Sequence, residues 1–248
     1  MGTRKLYGKL EGFMKEHNIR MGRDALFSLL LSNKLLVSKR QRRVRTTQSH
    51  HWLRKYPNLI KGLVPASPNH IWVSDITYWR IEPGFYYISF ITDAFSHKIV
   101  GYHVGESLAT VETIQALKMA LDGLYRKPKK HHKLIHHSDR GLQYCSHDYV
   151  DLLKDRNIKI SMTESGGPLD NAVAERINGI LKEEYLKFYD VNTIGEACNA
   201  LEISVKLYNR DRPHNSISNL HPDQVHAFNI KTKKMWKNYY KKREAVSV

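Results

Sequence analysis

From residue 71 three successive segments alternate in polarity and are rich in β-branched and aromatic residues: IWVSDITYWR, FYYISFITDAF and HKIVGYHVG. A period of two predicts three strands. Pro83-Gly84, between the first two, is a turn signal, so the first pair reads as an antiparallel hairpin. Residues 109–124 carry apolar groups at helical spacing, KLIHHSD reads as a short strand, residues 147–156 as a helix and IKISM as a strand. A long helix over 170–188, with Asp170 and Asn171 at its cap positions, and another over about 194–209 complete the pattern. Three antiparallel strands and a helix, followed by strand–helix–strand–helix, predict an α/β fold with a mixed sheet and helices on its faces.

The flanks differ in kind. Residues 1–37 read as a helical N-terminal region, two short helices broken at Gly22 in a helix-turn-helix-like arrangement. Residues 38–68 read as a basic linker. Its first part, SKRQRRVRTTQSHHWLRKY, holds nine basic residues including two histidines, among them Arg40, Arg42, Arg43 and Arg45. The PASPNH stretch marks the boundary of a core over 69–228, and residues 229–248 form a basic tail containing KTKKMWKNYYKKR from Lys231 onward. The charge follows these divisions: residues 1–70 carry a net +12, residues 71–230 a net −2 and residues 231–248 a net +6. A balanced core between cationic arms suits a partner with a phosphate backbone. No apolar run of about 18 residues exists to cross a membrane. The N-terminus lacks the apolar stretch of a secretory signal. Cys145 and Cys198 are far apart, which points to a reducing cytoplasm without a structural zinc site.

Three carboxylates stand in informative places. Asp75 lies inside the first strand among Val73, Ile76 and Tyr78, where an unpaired carboxylate is costly. Asp139 follows a short strand and precedes Arg140-Gly141, aimed at the crevice where open α/β sheets bind ligands. Glu175 sits in DNAVAERINGILKEEY beside Ala172, Val173 and Ile177. Thirty-five residues separate Asp139 from Glu175, and Lys182 comes seven positions after it, about two turns along the same helical face. In this spacing the sequence resembles the DDE transposases and retroviral integrases. The words WVSDITY, ITDAFSHKIVGY, HHSDRGLQYCS, DNAVAERINGILKEE and YNRDRPHNSI resemble bacterial insertion-sequence transposases of the type encoded by a second, overlapping reading frame. The resemblance covers residues 65–225.

It implies a ribonuclease H-like fold, with Asp75 on the first strand, Asp139 after the fourth and Glu175 on the helix after the fifth. It also implies DNA as substrate, both element terminal repeats and target, with Asn171 and Lys182 beside the DNA end. His137 and Arg140 flank Asp139 as phosphate-orienting groups, with a buried structural role as the other reading of His137. The loop SGGPLDN, with Gly166-Gly167, reads either as a segment that orders on DNA and metal or as a plain connector.

Phosphodiester cleavage and strand transfer are in-line displacements, for which two hard divalent cations suffice. Asp75, Asp139 and Glu175 are the expected metal ligands and catalytic residues, with Asp75 bridging two Mg²⁺ ions. Mn²⁺ accepts the same ligands. Joining two DNA ends calls for a homodimer or higher assembly on DNA. The usual sequence-specific domain of such transposases comes from an upstream frame, so an upstream-frame DNA-binding partner or fusion is a further expectation. Two other readings fit parts of the pattern: a non-catalytic DNA-binding relic or regulator of an insertion element, and a ribonuclease H-type nuclease that hydrolyses without joining.

Overall fold

A computed structural model describes residues 2–36, 51–82, 84–125, 133–164 and 172–232. Its five strands are β1 (Ile71–Arg80), β2 (Phe85–Asp93), β3 (Ile99–Gly105), β4 (Ile135–Ser138) and β5 (Lys159–Met162). They form one sheet in the order β3-β2-β1-β4-β5. The first three are antiparallel, and β1, β4 and β5 run parallel. Parallel neighbours need crossover connections, and these cover both faces of the sheet with helices. One face packs on α3 (Thr110–Tyr125), α4 (Leu142–Cys145) and α5 (His147–Asp155) through Trp72, Ile91, Leu117 and Leu153. The other packs on α6 (Ala172–Glu184) and α7 (Ile194–Asp211) through Ile88, Phe90, Leu181 and Tyr208.

The hairpin expected at Pro83-Gly84 is closed by the Ile81 N–H, which donates to the Gly84 carbonyl. The next turn is held by Asp93. Its side chain is fully buried, yet it accepts hydrogen bonds from the Ser96 N–H, the Ser96 hydroxyl and the Asn69 N–H, each at 2.7 Å. Three donors offset the cost of desolvating this carboxylate.

Four features depart from the pattern read in the sequence. The long helix ends at Glu184, and Leu186–Phe188 forms a 3₁₀ turn that drives Leu186 into the core. Arg212 grips the end of α6 through two hydrogen bonds of 2.8 Å to the Glu184 carboxylate, with both side chains largely buried. Burial pushes the Glu184 pKa up, but the hydrogen bonds and charge of Arg212 outweigh it and hold the group down at about 2. Two short helices, α4 and α8 (Pro222–Phe228), have no counterpart in the periodicity because four to seven residues are too few to show it. Residues 51–60, read as linker, lie along β5: the Met162 N–H donates to the Pro57 carbonyl and the Leu59 N–H to the Ser161 hydroxyl. This segment shields an otherwise open sheet edge. At the N-terminus α1 (Thr3–Glu16) and α2 (Arg23–Ser32) form a pair, and Lys5 and Lys9 of α1 donate to the Pro213 and Asp211 carbonyls.

The seat of α3 on β3 depends on Gly101. A Cβ there would fall 2.2 Å from the Ala116 carbonyl oxygen and 2.9 Å from the Ala120 methyl. Because the obstacle is helix backbone, Gly101→Ala forces α3 off the sheet. Chemical denaturation is expected to show a loss of about 1–3 kcal/mol, the usual cost of overpacking. Unchanged stability would mean that α3 sits farther from β3 than described.

Candidate active site

The parallel register of β1 on β4 pairs Ile71 with Ile135, Trp72 with His136 and Val73 with His137. Continued two residues, the same offset sets Asp75 beside Asp139 at the end of β4. Adjacent strands lie about 4.8 Å apart, and residues in register point to one face. Both aspartates are half-buried. Asp139 is shaped locally: its Oδ1 accepts the Gly141 N–H at 2.8 Å, and a Cβ on residue 141 would stand 2.9 Å from that oxygen. The Asp-Arg-Gly turn therefore needs its glycine for close approach to the carboxylate.

Helix α6 lies across β1 on the face toward which Asp75 points. Val173 and Ala174 pack on Ile71 and Val73, while Ile177 and Leu181 enter the core. Asn178, 1% exposed, donates from Nδ2 to Asp75 Oδ2 at 2.7 Å, and its own Oδ1 is buried without a partner. Lys182 donates to the Tyr78 carbonyl at 3.2 Å and lies 4.6 Å from the centre of the Tyr78 ring. Glu175 is exposed on the first turn, three residues before Asn178 and on the same helical stripe. The helix thus runs Glu175, Asn178, Lys182 along β1.

Beneath the pair, on the other face of the sheet, lies a buried polar layer. His136 Nε2 is 2.8 Å from the Ser74 hydroxyl and 2.9 Å from the Tyr149 hydroxyl. Burial first, then His137 beside it, pushes His136 down to about 3, so it stays neutral. Burial also raises Tyr144 well above the usual phenol range, helped by Tyr149 and by the negative charges of Asp75 and Asp139.

The structure thus brings Asp75 and Asp139 together and lays the Glu175 helix over them. Arg140 is half-buried next to Asp139, and its carbonyl is 2.9 Å from His51 Nε2. His137 is fully buried, its Nδ1 2.8 Å from the Ser161 hydroxyl, and at that depth it does not reach a phosphate at the surface. Asn171, Arg40, Arg42, Arg43, Arg45 and the Gly166-Gly167 loop lie outside the described residues. Asn178 escapes sequence reasoning; a helical asparagine carries no signal of its role until the register puts a carboxylate opposite it.

As to metal, the three acidic side chains offer only carboxylate oxygens, the donors Mg²⁺ prefers. Asp75 and Asp139 are half-buried rather than sealed in the core, so both keep some exposure to solvent. Among the described residues no three His, Cys, Asp or Glu side chains already surround one point at metal-ligating distance.

A five-stranded mixed sheet with a pair of in-register aspartates and an acidic helix across it defines an integrase-type catalytic core. The integrase core domain family matches this chain over residues 65–168 and again over 156–222. A 31 kDa protein of insertion element IS600 from Shigella sonnei is 37% identical over 224 residues, covering 89% of this chain and 81% of that protein. The transposase of insertion sequence IS629, also from Shigella sonnei, is 35% identical over 185 residues, 75% of this chain and 60% of that protein. Among solved structures, the HTLV-2 integrase catalytic core domain in complex with magnesium aligns at a TM-score of 0.51 and 25% identity, over 64% of this chain and 97% of that one. A chain of the simian T-cell lymphotropic virus intasome in complex with PP2A regulatory subunit B56 gamma shares the fold, with a TM-score of 0.55 at 18% identity over 100% of this chain and 81% of that one. The chain belongs to the integrase core domain family and, within it, to the insertion-sequence transposases. The fold is ribonuclease H-like. No described helix is long and apolar enough to cross a membrane.

Asn178→Leu removes the donor to Asp75 while keeping an apolar surface toward the core. Outer partners of metal ligands are typically worth about 10–100-fold in metal affinity or activity. The expected result is a rise of that order in the Mg²⁺ concentration needed for half-maximal strand joining, with a cooperative unfolding transition retained. An unchanged metal requirement would remove Asn178 from the site.

Proposed function

We propose that this chain is a transposase that cleaves DNA at 3′ ends and joins them to target DNA, with Asp75, Asp139 and Glu175 holding two Mg²⁺ ions. The observation that carries the reading is the β1–β4 register, which stands Asp75 beside Asp139 under the helix that bears Glu175. The related integrase core with bound magnesium supports the choice of ion. When bound, such ions activate the attacking oxygen and stabilise the leaving one, and Mn²⁺ serves with the same oxygen ligands.

The protein's own groups orient and charge the site. Asn178 holds Oδ2 of Asp75, and the Ile76 N–H, at 3.0 Å, holds its Oδ1, so the carboxylate is fixed at both oxygens. The Gly141 N–H fixes Asp139 Oδ1 in the same way. No protein nucleophile is needed: water attacks in cleavage, and the freed DNA 3′-hydroxyl attacks in joining. Lys182 and Arg140, at the two ends of this arrangement, supply positive charge for the phosphate backbone on either side. Asn171 and the arginines at 40, 42, 43 and 45 add contacts to the element end and its flank. The assembly on DNA is a homodimer or larger, because two ends are joined in one event.

The test is strand transfer with a labelled pre-cut element end in Mg²⁺, Mn²⁺ or chelator. Glu175→Gln is expected to lower metal-dependent joining by about three orders of magnitude, roughly 4 kcal/mol of transition-state stabilisation. Joining that survives chelation, or that is unaffected by Glu175→Gln, would refute the assignment.

A further inference from the structure

A groove of about 990 Å³ opens beside the first turn of α6, away from the acidic pair. Elements distant in sequence build it: Lys5 of α1, Phe95 in the β2–β3 turn, Arg176 of α6, Asn215 and Ser216 after α7, and Lys231 beyond α8. Three cations line it and no aspartate or glutamate does. Two of these cations, Lys5 and Lys231, come from the cationic flanks, and Arg176 comes from the core, whose residues 71–230 carry a net −2. Two largely buried carboxylates close by are already engaged, Glu184 by Arg212 and Asp93 by the Ser96 and Asn69 donors.

We propose that this groove holds a single strand of DNA by its phosphates and leads it to the catalytic carboxylates. The inference rests on the transposase reading, and it adds a surface that none of the residues named there includes. Arg176 follows Glu175 directly, so a strand seated on Arg176 lies within a residue's length of the site. Phosphates pair with Lys5, Arg176 and Lys231, Asn215 and Ser216 offer neutral hydrogen bonds, and the half-exposed Phe95 gives a base a ring to stack on. A basic track with an aromatic platform is the composition of single-strand sites. Lys5, whose ammonium donates to the Pro213 carbonyl at 2.7 Å, is lowered to about 8 by burial first and then by Arg212, with Glu184 opposing. His97, stacked on His214, is lowered to about 4 by burial, with Asp93 opposing and Arg176 and Arg212 adding to the shift.

The test uses the full chain and a labelled 15-nucleotide single strand, with binding measured across a series of salt concentrations. Each phosphate contact removed lowers the slope of log affinity against log salt by about 0.7 on single strands. Lys231→Gln is therefore expected to lower the slope by about 0.7, and Lys5→Gln with Lys231→Gln by about 1.4. Lys118→Gln with Lys159→Gln, on α3 and β5, should leave it unchanged. Lys231 is exposed, so the single variant reports even if the Lys5 substitution disturbs α1. As a second readout, Ser216→Cys in a Cys198→Ser background should cross-link to a strand carrying a thiol tethered to a phosphate, whereas Leu207→Cys should not. Equal slopes for groove and control variants, with no cross-link at residue 216 and Glu175-dependent joining intact, would overturn the groove and leave the transposase reading standing. A wild-type chain that neither binds the strand nor joins ends would overturn both.

Discussion

The rest of the structure depends on the parallel pairing of β1 with β4. That pairing turns two aspartates 64 positions apart into neighbours on one face of the sheet, at the point where β4 ends. It also dictates the architecture around it. A parallel neighbour cannot be reached by a tight turn, so the chain crosses over through α3, and again through α4 and α5 to reach β5. The helices bury both faces, and the sheet becomes a stiff platform with apolar packing above and below.

Helix α6 adds what the sheet cannot. Its apolar stripe is seated by Ile177 and Leu181, and its far end is clamped by the Glu184–Arg212 pair. Between these anchors Asn178 meets Asp75. Holding the pair is worthwhile only because both partners are present: removal of either would leave a buried charge, at a typical cost of about 3–5 kcal/mol. Since the folded pKa of Glu184 lies below its ordinary value, the pair contributes its full stability above about 4.5 and loses it as the pH falls through about 2. Glu175, by contrast, stays exposed on the first turn.

The strands are legible because alternation of β-branched and aromatic residues over nine or ten positions fits a half-buried strand and cannot line one face of a helix. β1, β2 and β3 fall where that alternation is strongest. The carboxylates are legible from spacing and local words, which single out Asp75, Asp139 and Glu175 without knowledge of register. What escapes depends on contacts between distant segments. Asn178 looks like any helical asparagine until it lies opposite Asp75. The break after Glu184 follows from Leu186 reaching the core and Arg212 arriving from 28 residues away. Residues 51–60 read as linker because they continue the basic stretch that begins at residue 38, yet Leu53, Tyr56 and Ile60 pack on the core and the backbone finds partners on β5. The groove is assembled from Lys5, Arg176 and Lys231, which no window of sequence contains.

Everything in the proposed chemistry requires Asp75, Asp139 and Glu175 to converge on the same pair of divalent ions. Replacing Mg²⁺ with Fe²⁺, which accepts the same oxygen ligands, and adding hydrogen peroxide with ascorbate allows localised hydroxyl-radical cutting of the backbone beside the bound ion. The account predicts cuts clustered near residues 75, 139 and 175, suppressed by excess Mg²⁺ and lost in Asp75→Asn. Cuts confined to other segments, or a pattern indifferent to Mg²⁺ and to Asp75→Asn, would contradict it.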